Sequence, residues 1–406
     1  MKREQLAVNR EQLAVNSEQL TVNSELRTVN RRFLIALLIV ICYLLFSCVF
    51  PQSDEPDQTR SPFDPDLKSW KTASWTPFSS SDSITGFAYG NPGGRDRYVA
   101  VAATGVIGWS DDGDIWNKAE KTPDVPPDEN LPFNASFNAV TWGGGRFVAV
   151  ANEGKIAWST DGIHWTAEGH ADGIDGFGKT DILGITWGNG MFVAVGGRGN
   201  FSVVPPILSN ANISYSTDGI SWTGCNDLNF GSSQLNDIAF NSGVGRFYIV
   251  GDEGKRGWFA NPEENWNFIQ LPSADEAPFG HRNLRKVTVG RCGSGIGIGV
   301  VFEEWGGKRI LIAKNADFGD LDAGIEPVNF GSNTINGIAW GGDYFVAAGT
   351  GAMIGWWNSA DPDNNSQKYW RALSFTEFQW WEITSLKAMK DRFFVGSIGG
   401  KIGYSR

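Results

Sequence analysis

Two adjacent tryptophans, Trp380 and Trp381, stand between Phe378 and Glu382. Neighbouring indoles in a loop can form a flat platform for a sugar ring or an apolar side chain, with the carboxylate beside them to accept hydrogen bonds. The other use of such a loop is to plug a cavity with its own tryptophan. Trp305 offers a smaller surface of the same kind, and Asp181 and His281 add polar groups. Asp172, Asp175, Asp181 and Glu382 are the candidates for paired acids, since glycoside hydrolysis needs two carboxyl groups facing each other. His164, His170 and His281 show no metal-ligand spacing, and no Ser–His–Asp arrangement, phosphate loop or cysteine cluster occurs. No metal or cofactor is expected.

A repeat has to position these residues. The stretch Phe137–Ala167, FNAVTWGGGRFVAVANEGKIAWSTDGIHWTA, recurs in variants starting near Ile84, Ile182, Leu235, Leu284, Ile335 and Ile383, at steps of 53, 45, 53, 49, 51 and 48 residues. Each copy holds four short runs rich in Val, Ile, Phe and Trp and bounded by glycine, which read as strands. That period predicts an all-β fold, a single seven-bladed β-propeller of four-stranded antiparallel blades over residues 67–406. The last copy has three strands, whereas Leu67–Thr72 precedes the first copy as a strand without a blade. The N-terminal strand around Trp70 is therefore expected to complete blade seven and remove the ring's open edges. Thirteen of the 18 tryptophans fall in repeated strand positions and are expected to pack between blades; Trp75, Trp305, Trp357, Trp380 and Trp381 are left over.

The string S-x-D-G-x-x-W occurs at Ser110–Trp116, Ser159–Trp165 and Ser216–Trp222. A two-residue Asp-Gly loop suggests a type I′ hairpin with positive φ at both positions. Here the chain resembles the Asp-box (bacterial neuraminidase, BNR) repeats of sialidase-like propellers, and the related repeats of a photosystem II assembly factor of plants and cyanobacteria. The resemblance runs from about Ile84 to the C-terminus. It implies that Asp112, Asp161 and Asp218 brace hairpin turns at the blade edge rather than act in catalysis. The commonest form of the box has one more residue between Asp and Gly. Sialidases also carry an Arg-Ile-Pro motif, an arginine triad and a Tyr–Glu pair. No Arg-Ile-Pro occurs here, and Arg97, Arg146, Arg246 and Arg392 share one repeat position beside the strand one–two turn, which reads as architectural.

Residues 1–30 hold near-copies of the heptapeptide Arg3–Asn9. Leu6 and Val8 lie two apart, against the three-then-four spacing of a coiled coil, so this stretch reads as low-complexity sequence. It is also what translated upstream DNA would look like, with initiation near Val29. Residues 31–48 follow as Arg31-Arg32, an apolar run to Phe46 and Ser47-Cys48, a pattern of export. The ending resembles the lipobox of bacterial lipoproteins, which implies lipid attachment at Cys48. A single anchor helix from Phe33 to Phe50 is the other reading. Both place the propeller outside. Residues 49–66 are acidic and proline-rich, as suits an extended linker.

The net charge is −11 and becomes more negative once the basic N-terminus is removed, which argues against nucleic acid as a partner. Cys225 and Cys292 fall two blades apart, too far to pair. Insertions concentrate in the strand two–three and four–one connections, which share one face of a propeller: 120–132, 168–181, 196–212, 270–283, 303–309 and 374–382. Long loops gathered on one rim of a rigid scaffold make a binding surface. Polar residues just before each first strand (Asp181, Gln234, Asn283, Thr334, Glu382) are expected to ring the channel mouth. The chain thus reads as a monomeric, exported, membrane-tethered propeller of the cell envelope that binds a protein or carbohydrate ligand through its insertion-bearing face. A carbohydrate-active enzyme on the same scaffold and a structural surface protein without a dedicated ligand are the other two readings.

Overall fold

The computed structural model describes residues 67–122, 135–168, 174–175, 177–197, 212–225, 233–262, 267–268, 280–292, 295–304, 307–313, 317–318, 330, 333–359, 370–378 and 381–406. The heptapeptide repeats, Cys48, the 33–50 segment and the 49–66 linker lie outside them. Among the described residues no helix is long and apolar enough to cross a membrane.

Seven antiparallel meanders form the ring. Their innermost strands are Ile84–Gly90, Phe137–Gly143, Ile182–Gly188, Leu235–Asn241, Leu284–Cys292, Ile335–Gly341 and Ile383–Met389. Each touches the next in chain order, and the last returns to the first. Trp70–Thr72 pairs antiparallel with Ser405–Gly403, so the N-terminal strand does complete blade seven. Blade five shows three strands among the described residues. Blade two has five, because Glu120–Lys121 runs parallel beside His164–Trp165. What the sequence suggested was the start of a loop insertion after blade one is thus an edge strand lent to the neighbouring blade.

Every inner strand carries a β-bulge after its first residue, at Ile84/Gly86, Phe137/Ala139, Ile182/Gly184, Leu235/Asp237, Leu284/Lys286, Ile335/Gly337 and Ile383/Ser385. The extra residue drops out of the ladder, and at five junctions its side chain bonds the next blade. Thr85 Oγ1 donates to the Phe137 carbonyl at 2.8 Å, and Asn138 Nδ2 to that of Ile182 at 2.8 Å. Asn236 Nδ2 reaches Leu284 O at 2.8 Å, and Asn336 Nδ2 reaches Ile383 O at 2.9 Å. Thr384 Oγ1 closes the circle on Ile84 O at 2.6 Å. In each case the acceptor is the first residue of the following blade's inner strand. Just upstream, the carbonyl before every inner strand accepts an N–H from the end of strand two or just beyond it, from Ala103→Ser83 at 2.9 Å round to Ile398→Glu382 at 3.0 Å.

Toward the other end of the inner strands, the aromatic of one blade lies on a glycine of the strand before it. A Cβ on Gly90 would overlap the Trp142 ring, one on Gly143 that of Trp187, and one on Gly290 that of Trp340. Glycine is required here for close approach.

The three Ser-Asp-Gly hairpins share their serine and aspartate hydrogen bonds, and in the first two the tryptophan indole also bonds the glycine carbonyl. Ser159 Oγ accepts the Gly162 N–H at 2.8 Å, Asp161 Oδ1 accepts those of Ile163 and His164 at 2.8 Å each, and Trp165 Nε1 donates to Gly162 O at 3.0 Å. Only the glycines have positive φ, +77° at Gly113, +76° at Gly162 and +71° at Gly219. The expected type I′ geometry is therefore wrong for this turn. The aspartate stays at negative φ and caps the turn with its carboxylate. Pairs with positive φ at both positions occur instead between strands one and two, at Gly144-Gly145, Asn189-Gly190 and Gly342-Asp343. Burial works against ionising Asp112, but the backbone N–H groups of Ile115 and Asp114 outweigh it and hold its carboxyl below the usual range. In blades four and six, which lack the box, the serine position is filled by Phe259 and Trp357, stacked on Phe247 and Phe345. That accounts for Trp357.

The repeated arginines stack on the third strand. The Arg97 guanidinium lies 4.3 Å from the Trp109 ring centre, Arg146 5.0 Å from Trp158 and Arg246 3.5 Å from Trp258. Ring closure has its own clasp. Asp114, in the first box turn, accepts the Ser74 hydroxyl at 2.7 Å and that of Tyr404 at 2.8 Å, with Lys71 at 3.6 Å. Asp96 of blade one ties Lys390 of blade seven to Tyr89.

Two outcomes follow from this packing. Trp165 is 1% exposed, and Trp165→Ala is expected to lower stability by about 3–5 kcal/mol; urea unfolding measures it. Burial opposes ionisation of Asp114, yet Ser74, Tyr404 and Lys71 together hold its carboxyl below the usual range. A depressed carboxylate contributes stability that is present above its unfolded pKa and is lost as pH falls through the folded value. Asp114→Asn should therefore lower the melting temperature at neutral pH, with the gap to wild type closing in acid.

Candidate functional site

The loop-bearing face is organised by the bulges. Each strand two–three turn sits beside the start of the next blade, and the polar residues before the inner strands are engaged there. Asp181 Oδ1 accepts the Glu153 N–H at 3.0 Å. Asn283 Oδ1 accepts that of Glu253 at 3.2 Å, and Gln234 Nε2 donates to Asn236 Oδ1 at 2.8 Å. Glu382 Oε1 accepts from Asn336 Nδ2 at 2.7 Å. The bonds of Asp181, Asn283 and Glu382 run between blades, and that of Gln234 stays within blade four.

Between blades four and seven the ties become charged. Arg285, the bulged residue of blade five, holds Glu303 Oε1 at 2.6 Å through Nε and Asp252 Oδ1 at 2.9 Å through Nη1. The Arg285 hydrogen bond, against the opposing effect of burial, keeps the Glu303 carboxyl below its ordinary value. Lys308 Nζ, lowered chiefly by burial, donates to Asn336 Oδ1 at 3.1 Å. A chain of contacts thus crosses three blade junctions on one side of the mouth.

The expected site residues are scattered. Asp181 is in blade three, His281 is exposed before blade five, and Trp381 and Glu382 enter blade seven. Trp305 and Trp380 lie outside the described residues, as do His170 and Asp172. Trp381 does not plug the channel: its half-buried ring packs on Gly399, with Lys401 Nζ 5.9 Å above it. Ile398, the residue before Gly399, is 42% exposed. Asp175 Oδ2 accepts the Gly224 N–H at 3.0 Å, so Asp175 and Asp181 belong to blade three and Glu382 to blade seven. The structure does not bring these three carboxylates together. His164 Nδ1 bonds Asp161 Oδ2 at 2.8 Å inside a box turn. Among the described residues no cluster of His, Cys, Asp or Glu could hold a metal ion.

Sequence reasoning missed two features of this face. The 303–309 insertion is not a loop; Gly295–Glu304 and Gly307–Ala313 continue as one long hairpin, pairing Glu303 with Lys308. Opposite charges at Glu303-Glu304 and Lys308-Arg309 are the signal that could have shown it. The second is a central cavity of about 660 Å³. Its walls are built by the inner strands of all seven blades and include the small residues Gly86, Ala88, Ala139, Gly337 and Ala339. Trp75, also left unexplained by the repeat, is 53% exposed beside Ile115 at the outer edge of blade one.

Arg285→Leu would leave Glu303 and Asp252 facing each other without their cation. A loss of about 1–3 kcal/mol is expected in urea unfolding, moderated by solvent at the mouth. The loss should shrink in a Glu303→Gln background.

No protein-family model matches the chain. No curated protein matches it. Solved structures do. YCF48 from Cyanidioschyzon merolae is 14% identical, with a TM-score of 0.56 over 83% of this chain and 98% of that one. A structure described as YCF48 bound to D1 peptide gives 14% identity and a TM-score of 0.56 over 83% of this chain and 96% of that one. The WD40 β-propeller domain of Doa1 is 13% identical, with a TM-score of 0.53 over 86% and 97%. At these identities the likeness establishes the fold, a seven-bladed β-propeller.

Proposed function

We propose that the chain is a binding module that holds a segment of another protein against the loop-bearing face at blade seven. The observation that carries this reading is the juxtaposition of exposed Ile398 with the half-buried Trp381 ring, flanked by Lys401 and Glu382. An apolar centre with a polar rim is the usual anatomy of a protein-binding patch. Trp380 is next to Trp381 in sequence. The engagement of Asp175, Asp181 and Glu382 in structural hydrogen bonds favours binding over glycoside hydrolysis. A propeller of this fold in complex with a peptide, YCF48 with D1, favours a protein ligand over a glycan. The same reading includes a tether, lipid on Cys48 or an anchor helix at 33–50, that keeps the ring outside the membrane on an acidic linker.

A photo-reactive residue in place of Ile398 tests this in native membranes, with one in place of Arg95 on the opposite, short-turn face as control. Discrete protein adducts are expected from position 398 and not from 95. Trp381→Ala should weaken them by about tenfold or more. Equal adducts from both positions would overturn the reading.

A further inference from the structure

The central cavity differs in charge from the molecule around it. The chain as a whole carries −11. Of the charged residues on the cavity wall, Lys286 and Lys387 come from the inner strands of blades five and seven, and Asp237 from blade four. Asp237 is occupied, its Oδ2 accepting the Val287 N–H at 3.0 Å. Among the described residues no carboxylate stands within ion-pair distance of Lys286 or Lys387, and neither ammonium group makes a hydrogen bond. At the short-turn mouth Arg291 adds a further cation, Lys390 is paired with Asp96, and Asp343 contributes one carboxylate, which leaves the lining net positive.

Lys286 is half-buried and Lys387 exposed on the channel wall, and the low-dielectric walls concentrate the field of their ammonium groups. Apart from Asp237, the other blades place Gly, Ala, Ser or Thr at the corresponding wall positions, so the two lysines depart from the repeat. The hydroxyls of Thr141, Thr186 and Thr288 line the same space and supply neutral donors. At about 660 Å³ the cavity falls within the size range of small-molecule sites. We propose that the channel is a binding site for a small polyvalent anion, bearing carboxylate or phosphate groups, held by Lys286 and Lys387. This site is separate from the patch at Ile398 and stands or falls independently of it.

Titration calorimetry on the full chain in detergent tests it with two probes, citrate and inorganic pyrophosphate, at constant ionic strength set with sodium chloride. Saturable binding of at least one probe is expected, and which one binds identifies carboxylate or phosphate as the recognised group. Lys286→Met and Lys387→Met should each weaken it by about tenfold or more. The double variant should abolish it, while Lys118→Met, on the exposed outer strand of blade one, leaves it unchanged. Circular dichroism and melting temperature establish that the variants fold. Lys286→Arg in the wild-type background should keep most of the affinity, because the charge is retained. Failure of both probes to bind wild type, or unchanged affinity in a folded double variant, would overturn the proposal.

Discussion

A carbonyl displaced by a β-bulge needs a donor, and in this ring the donor comes from the blade before. The bulged residue of one inner strand reaches the first carbonyl of the next at five of the seven junctions, from Thr85, Asn138, Asn236, Asn336 and Thr384. Leaving such a buried acceptor empty costs on the order of 1–3 kcal/mol, so each tie disfavours sliding or twisting of neighbouring blades. Hydrophobic packing between blades supplies most of the attraction but has little direction of its own. The hydrogen bonds supply the register. At the fifth blade the same position is Arg285, whose longer side chain links back to Asp252 and across to Glu303.

Function is confined by that arrangement. Polar residues at the mouth of the loop-bearing face are consumed in holding blades together, which leaves two kinds of surface for a ligand. One is apolar, where Trp381 and Ile398 stand beside the closing blade. The other is the channel wall, where small side chains leave space and two lysines project without carboxylate partners. A rigid ring makes both effective, since neither surface has to be ordered at the moment of binding.

Much of this was legible in the residues. The spacing of the copies and the S-x-D-G-x-x-W string disclosed the number of blades and the box turns, and the lone strand around Trp70 disclosed the closure. The bulges were not legible, because one extra residue in a strand of seven leaves the pattern of Val, Ile and Phe almost untouched. Asp161-Gly162 misled for a related reason: the dipeptide fits a type I′ turn, but Ser159 and the Asp161 carboxylate cap a different one. Trp357 looked available to a ligand because the repeat predicts serine there, and only the core of blade six shows why a larger residue fits. Nothing in the sequence sets Lys286 and Lys387 apart, since a linear reading cannot tell a channel wall from solvent.

If the first β-segment of each sheet is fastened to its successor all the way round, the ring should open as one body. Native-state hydrogen exchange on the amides of the seven inner segments measures this most directly. Protection that converges on a single opening free energy with rising denaturant would agree with the account. Protection that separates into independent values, sheet by sheet, would contradict it.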